Sequence, residues 1–360
     1  MSWVFVAWAL VASGFTWVTC WRLSRRSRST RLPAVSASDS VLIVRPVDAP
    51  GPHELEALAV PLVMPGVRQL VVSPVRPQGL PGSTEWLASD PTQCANRKVA
   101  HVLAALGAAK PPSVVLCIDA DVMVDAALVG SLVSAVHSGS AAASAAPWVE
   151  RRGGLAERAM CGVLVQSHHS FVALDAMQVG AKALCGKALA MSPAAIDVFG
   201  TLGDVVGEDL ELAKRLDALG LAVALVDAPA RVVRNPRAAF RANVIERFTR
   251  WMQVLRAHRP RLFPSVPVLF AATPLLLVSA LCFGSTSLWC AVSVLGASRF
   301  VLARRLCGAA APWEWALAEL VLLWCWVASL IRGRRLTWRG RRYALSVHGH
   351  LQSMSEGRPT

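Results

Sequence analysis

The strongest constraint in this chain is the run at residues 114–121, Val-Val-Leu-Cys-Ile-Asp-Ala-Asp, where apolar residues stop at two carboxylates one residue apart. A short, uninterrupted apolar run with β-branched members reads as a strand buried on both faces, which belongs in a sheet covered by helices. Such a strand presents Asp119 and Asp121 together at the carboxyl edge of the sheet, where open α/β folds bind their ligands. Two acids in that position can share one hard divalent cation, because Mg²⁺ takes one or two carboxylates plus phosphate oxygens. An Asp-x-Asp is equally at home in a solvated turn or a helix cap, so the surrounding chain has to decide.

The flanking segments alternate between strand and helix. Residues 40–46, with a Val-Leu-Ile-Val core, and 68–73 read as strands, and residues near 53–63 and 96–106 as helices. A loop rich in Pro and Gly fills the stretch from 73 to 96. Beyond the acidic pair, 125–137 reads as helix and the Ser and Ala stretch through Ala146 as another strand. The alternation predicts an α/β domain over residues 40–240, its sheet largely parallel and covered on both faces. His168 and His169 fall in a helical segment and point about 100° apart, which suits a surface or interface role better than a metal site. Residues 207–219 read as a helix with Glu208, Asp209 and Glu211 in its first turn, where acids complement the helix dipole. The alternative is that Asp209 faces the same cleft as Asp119.

The ends of the chain are of a different kind. With 54% hydrophobic and 17% charged residues the chain is too apolar for a purely soluble protein. Residues 1–21 form an apolar segment long enough to cross a bilayer, and Arg22, Arg25, Arg26, Arg28 and Arg31 follow at once. A cleaved signal peptide would carry its positive charge before the apolar run. The positive-inside rule therefore predicts an uncleaved anchor, a basic linker at 22–39, and an integral membrane protein whose domain faces the cytoplasm. Over residues 241–262, Val244, Phe248, Trp251, Met252 and Leu255 alternate with Arg247, Arg250 and Arg256, the pattern of an amphipathic helix in the membrane interface.

Residues 263–331 hold three further apolar stretches, at 266–283, 287–302 and 313–331, with Arg299 and Glu319 placed awkwardly inside them. If all three cross, the basic tail at 332–360 lands outside, against the charge rule. One stretch is therefore expected to be re-entrant or interfacial, among the first two, which contain Pro267, Pro274 and a Gly and Ser break at 284–287. The formal charge of +14 clusters beside apolar segments, which points to an anionic lipid surface and not to nucleic acid. Nine cysteines without CxxC pairs or metal-ligand spacing read as reduced and mostly buried thiols.

Four signals occur in order: Asn96-Arg97-Lys98, Asp119-Ala-Asp121, Gly207-Glu208-Asp209 and Arg247-Phe-Thr-Arg250-Trp251. This order resembles family 2 and, more closely, family 21 of the inverting glycosyltransferases. Cys-Gly-Lys-Ala-Leu-Ala-Met at 185–191, Val-Gly-Glu-Asp-Leu-Glu-Leu at 206–212, Arg45-Pro46 and Trp338-Arg-Gly-Arg-Arg-Tyr343 look like ceramide glucosyltransferases and their bacterial lipid-glycosylating relatives. The resemblance implies a GT-A fold, an α/β domain that binds a nucleotide-diphosphate sugar, with transmembrane and interfacial helices. It implies Mg²⁺ or Mn²⁺ held by Asp119 and Asp121 on the diphosphate of a UDP-sugar. It also implies nucleotide-sugar contacts from Asn96, Lys98, Arg247 and Arg250, acceptor contacts from Glu208 and Trp251, and Asp209 as general base toward a lipid hydroxyl, ceramide-like at first guess. One departure stands out: the second strand ends Leu70-Val-Val-Ser-Pro without the usual acid that helps hold the nucleoside. A polysaccharide synthase and a non-catalytic membrane scaffold that kept the fold are the alternatives.

Overall fold

A computed structural model describes residues 2–26, 40–90, 94–149, 153–177, 183–233, 235, 239–307, 312–338 and 341–353. Most of the expected linker, 27–39, and the end of the tail, 354–360, lie outside the described residues. The chain opens with helix α1 (Ser2–Arg26) and enters the sheet at β1 (Val41–Pro46), followed by α2 (Pro52–Leu58), β2 (Val67–Ser73), β3 (Thr84–Ala88), α3 (Arg97–Ala108) and β4 (Val114–Ile118). Then come β5 (Val122–Met123), α4 (Ala126–His137), β6 (Ala142–Val149), α5 (Leu155–Met177), β7 (Ala188–Met191), α6 (Pro193–Gly200), α7 (Glu208–Ala218) and β8 (Val223–Val232).

These strands form one eight-stranded sheet in the order β3-β2-β1-β4-β7-β6-β8-β5. β1, β2, β3 and β4 run parallel, as do β6 and β8, while β7 is antiparallel to both neighbours and β5 to β8. The expected mostly parallel, doubly covered sheet is the one observed. The apolar run of β4 explains itself by its two faces. Val114, Leu116 and Ile118 join a core with α4 and α5, and Val115 and Cys117 join another with α3, α6 and α7. β3 is a strand where the sequence reading has a loop. It is an edge strand among Pro and Gly, half-exposed, whose Glu85 receives two hydrogen bonds from Arg68 of β2.

After β8 the chain makes a wide helical turn (Phe240–Glu246), α8 (Arg247–His258), a second wide turn (Val266–Phe270), then α9 (Ala272–Phe283), α10 (Thr286–Cys307) and α11 (Pro312–Arg332). Among the described residues, three helices are long and apolar enough to cross a membrane: Ser2–Arg25 of α1, Thr286–Leu306 of α10 and Trp313–Arg332 of α11. α10 lies along α1 in the same direction, since Ala9 and Ala12 pack with Leu288 and Leu295 while Cys20 packs with Leu302 and Leu306. α9 has only 12 residues and packs against the first half of both.

α11 behaves differently from α1 and α10. Its Ala318, Val321, Leu322 and Cys325 are buried in the same core as β4 and α5, while Trp313, Leu320, Trp324 and Ile331 are exposed. It crosses α5 closely, where a Cβ added at Gly162 would meet the Ala318 Cβ at 2.7 Å. Small residues on one face of the third stretch let it seat on the α/β domain. His168 and His169 are buried and not on the surface. His168 Nδ1 lies 3.0 Å from the Pro147 carbonyl, and His169 sits against Phe15 of α1.

The expected basic tail is folded. β9 (Arg335–Trp338), β10 (Arg341–Leu345) and β11 (Leu351–Ser353) form an antiparallel sheet. It docks on the domain, with Val206 N donating to Gly349 O (3.0 Å) and Leu351 N to Asp204 O (2.7 Å). The reason is period-two patterning: Leu336, Tyr343, Leu345 and Leu351 are buried against Val206 and Val254, and the arginines at 335, 341 and 342 are exposed.

Candidate active site

The carboxyl edge of β4 carries the Asp119–Asp121 turn, and a buried cation fixes its shape. Arg45, at the end of β1 and fully buried, donates from Nη2 to the carbonyls of Asp119 (3.3 Å), Ala120 (3.0 Å) and Val122 (2.8 Å). Burial pushes this guanidinium down to about 10, so it stays charged at neutral pH. Two lysines meet the acids. Lys98 Nζ reaches Asp119 Oδ1 (2.9 Å), Glu208 Oε1 (3.1 Å) and Gly186 O (2.6 Å). Lys187 Nζ reaches Asp121 Oδ1 (2.6 Å), Asp121 Oδ2 (2.7 Å) and Asp119 Oδ2 (3.0 Å). Burial alone would raise the Asp119 carboxyl, but Lys98 and Lys187 outweigh it and hold the group well below the usual carboxylate range.

The second acidic pair comes from the start of α7. Gly207 adopts a left-handed φ of 76°, and a Cβ there would stand 2.3 Å from Val254 of α8, so glycine lets α7 begin flush against α8. Glu208 is held by Lys98 and by Asn96 Nδ2 (3.1 Å). Asp209 accepts from Gly186 N (2.7 Å) and from its neighbour Leu210 N (2.9 Å), and it faces the cavity. Burial, and then the charge of Glu208, raise the Asp209 carboxyl to about 6. The glycine of Cys185-Gly186-Lys187 is what lets these groups meet, since a Cβ on Gly186 would come 3.0 Å from Asp209 Oδ2 and 3.4 Å from Lys98 Nζ.

The third contribution is the first turn of α8. Arg247 Nη2 is 3.7 Å from Asp121 Oδ2, and its guanidinium lies 5.6 Å from the centre of the Trp251 ring. Trp251 is held edge-on by Phe248, with ring centres 5.1 Å apart. Arg250 also faces the cavity, and burial together with Arg247 lowers it to about 10. No carboxylate lies within ion-pair distance of Arg250 among the described residues. Two neighbouring guanidiniums with so little compensation form a place for an anion.

The two acidic pairs, Lys98, Lys187, Arg247, Arg250 and Trp251 line one cavity of about 930 Å³. Of the nine residues singled out from sequence, Lys98, Asp119, Asp121, Glu208, Asp209, Arg247, Arg250 and Trp251 are brought together there. Asn96 is the exception and a correction. It is fully buried, caps α3 by accepting from Lys98 N (3.1 Å) and Val99 N (3.3 Å), and donates to Val205 O (2.7 Å) and Glu208. It positions Lys98 and Glu208 and has no polar atom left for a nucleotide. The Asn is legible as a helix cap from its place before an apolar helix.

Among the cavity residues to which sequence reasoning gave no role are Lys187 and Asp48. Asp48 follows β1 and lines the cavity beside Pro46 and His53, ion-paired with Arg97 (2.8 Å) and 2.8 Å from His101 Nε2. It is a carboxylate near the place where the second strand lacks one. Ser73, at that strand's end, is committed internally, donating to Val75 O and accepting from Trp86 Nε1. Asp119 and Asp121 offer oxygen donors suited to a hard cation, and among the described residues no group of three or more His, Cys, Asp or Glu forms a protein cage. A metal here fits only with substrate oxygens completing its shell.

The other end of the cavity is apolar. Met160, Val163, Phe171 and Leu174 of α5 face Val266 and Phe270 of the second wide turn, with Leu322 of α11. Phe270 and Leu174 pack with Phe15, so this arm ends at α1. Trp338, Arg341 and Tyr343 of the C-terminal sheet close the polar end.

The sequence model of Glycosyl transferase family 21 matches residues 81–351. A similar solved structure is the mannosyltransferase PcManGT from Pyrobaculum calidifontis in complex with GDP-Man and Mn²⁺, at 17% identity and a TM-score of 0.53, over 91% of this chain and 99% of that one. No curated protein sequence matches the chain significantly. The likeness in fold, with the sheet order above, identifies the domain as GT-A.

Proposed function

The chain belongs to Glycosyl transferase family 21, and from that premise we propose that it moves a sugar, glucose first, from a UDP-sugar to the hydroxyl of a membrane lipid such as ceramide or another long-chain lipid alcohol. The observation that carries this is the single cavity with a charged end and an apolar arm. Asp119, Asp121, Asp209, Arg247 and Arg250 stand at one end, and the other runs between α5, residues 262–270 and α11 to the anchor helix α1. A sugar nucleotide is suited to the first and a lipid tail to the second.

The chemistry follows from the groups in place. Asp209, unprotonated above about pH 6, takes the proton of the acceptor hydroxyl as that oxygen attacks the anomeric carbon. The bond from that carbon to the diphosphate breaks, the electron pair leaves with UDP, and the configuration inverts. Arg247 and Arg250 receive the charge that builds on the departing diphosphate. Trp251, braced by Phe248, offers an aromatic face to sugar or acceptor. Asp119 and Asp121 would hold Mg²⁺ or Mn²⁺, which supplies Lewis-acid stabilisation of the leaving diphosphate. Asp48, ion-paired with Arg97, is the carboxylate that lines the wall toward the nucleoside beside β1.

In the membrane, α1 and α10 cross in the same direction, the wide turn at Val266–Phe270 with α9 carries the chain back across between them, and α11 lies in the interface on the cytoplasmic side, its exposed face of Trp313, Leu320, Trp324 and Ile331 toward lipid. The basic C-terminal sheet then stays with the catalytic domain, which removes the conflict with the positive-inside rule. By segment, residues 1–21 anchor, 40–240 carry the donor site, 241–262 complete it, and 263–331 supply the membrane face. The test is lipid extraction after incubating the purified protein and liposomes with labelled UDP-glucose, UDP-galactose, UDP-N-acetylglucosamine and GDP-mannose. Label in a glucosylated lipid is the expected result. Label in a long polymer favours a synthase, and no transfer together with no UDP binding favours a scaffold.

A further inference from the structure

Lys187 has no part in the transfer chemistry above, yet it holds the most contested position in the site. Its side chain is nearly buried, and its Nζ is directed at both oxygens of Asp121 (2.6 and 2.7 Å) and at Oδ2 of Asp119 (3.0 Å). An ammonium has three hydrogens to give, and these contacts use them all. The backbone locks the arrangement, since Asp119 N donates to Lys187 O (3.0 Å) where the β4–β7 ladder runs out. Lys98 does not share this place. It meets the far oxygen of Asp119 and divides its remaining hydrogens between Glu208 and Gly186 O.

We propose that Lys187 is the resident cation of the Asp119–Asp121 pair, so that a divalent metal gains these carboxylates only by displacing its ammonium. This rests on the reading that the pair holds the metal of a sugar-nucleotide site. A metal arriving alone would leave an enclosed ammonium without its partner, and an unpaired buried charge is strongly unfavourable. A metal arriving with a diphosphate brings new acceptors for that ammonium. Metal and nucleotide therefore bind as a coupled pair, each tightening the other by the same factor. The lysine also keeps two close carboxylates from repelling each other while no donor is bound.

The experiment measures free Mn²⁺ by electron paramagnetic resonance over the purified full-length protein, with and without UDP. Wild type is compared with Lys187→Met, Lys187→Gln and Lys187→Arg. Wild type is expected to bind Mn²⁺ at least tenfold more tightly with UDP than without. Lys187→Met and Lys187→Gln, which remove the charge while keeping most of the volume, should bind Mn²⁺ alone at least tenfold more tightly than wild type and lose most of the UDP enhancement. Lys187→Arg should keep the wild-type pattern. If a folded neutral variant binds Mn²⁺ without UDP within twofold of wild type, Lys187 is not the resident cation. Wild type that binds UDP but no Mn²⁺ under either condition overturns the metal assignment itself, a result distinct from the first.

Discussion

Two of the buried charge clusters in this molecule are built on opposite plans. At the sheet edge, four acids (Asp119, Asp121, Glu208, Asp209) and four cations (Lys98, Lys187, Arg247, Arg250) line a cavity, with one carboxyl raised to about 6 and Arg250 lacking an ion-pair partner among the described residues. Among the helices, Arg299 and Glu319 form a closed pair (3.3 Å), both fully buried. Arg299 donates to Thr16 (2.8 Å) of α1 and meets His169 (3.1 Å) of α5, while Glu319 accepts from Thr273 N (2.8 Å), Thr273 Oγ1 (3.0 Å) and Trp315 Nε1 (2.6 Å). The second cluster ties α1, α5, α9, α10 and α11 in one knot. Charges satisfied by many elements at once hold a molecule together, whereas charges left facing a cavity await a ligand.

Substitutions should separate these plans. The largest effect is expected from Asp209→Asn, a loss of about 10²–10⁴-fold in kcat, the range for a general base, with UDP affinity changed little in calorimetry. Next is Arg299→Met, which strands Glu319 and should lower unfolding stability by about 3–5 kcal/mol in detergent melts. The double change with Glu319→Leu should recover much of that, and transfer by the folded fraction should persist. Arg250→Ala should reduce kcat/KM for the donor about 10–100-fold, the worth of a charge-assisted hydrogen bond, without shifting the melting temperature. The mildest is the pH response. Asp209 works deprotonated and is held protonated below about 6, so kcat/KM should fall about tenfold per unit as pH drops through that value and level off above it. A profile flat to pH 5 would remove Asp209 as the titrating base.

Much of the sheet was legible because β1, β2 and β4 each carry an uninterrupted apolar run that ends at turn residues or acids. β3 was not, because an edge strand needs little apolar content and this one lies among prolines and glycines. The convergence of Asp119, Asp209 and Trp251 follows from motif order, but the part played by Asn96 does not, since a cap and a ligand contact call for the same side chain. Arg299 and Glu319 looked anomalous in apolar stretches because sequence does not show that the two meet. The folded tail went unread for a similar reason. A run of arginines masks an alternating pattern whose apolar half, Leu336, Tyr343 and Leu345, is short and interrupted.

The most direct measurement is a structure of the full chain with UDP and Mn²⁺, the metal located by its anomalous signal. The expected result is a Mn²⁺ peak at Asp119 and Asp121, the diphosphate against Arg247 and Arg250, and the Asp209 carboxylate open toward the apolar arm. Metal and nucleotide bound away from Asp119 and Asp121, or Asp209 sealed from that arm, would contradict the meeting of sugar nucleotide and lipid in a single cavity.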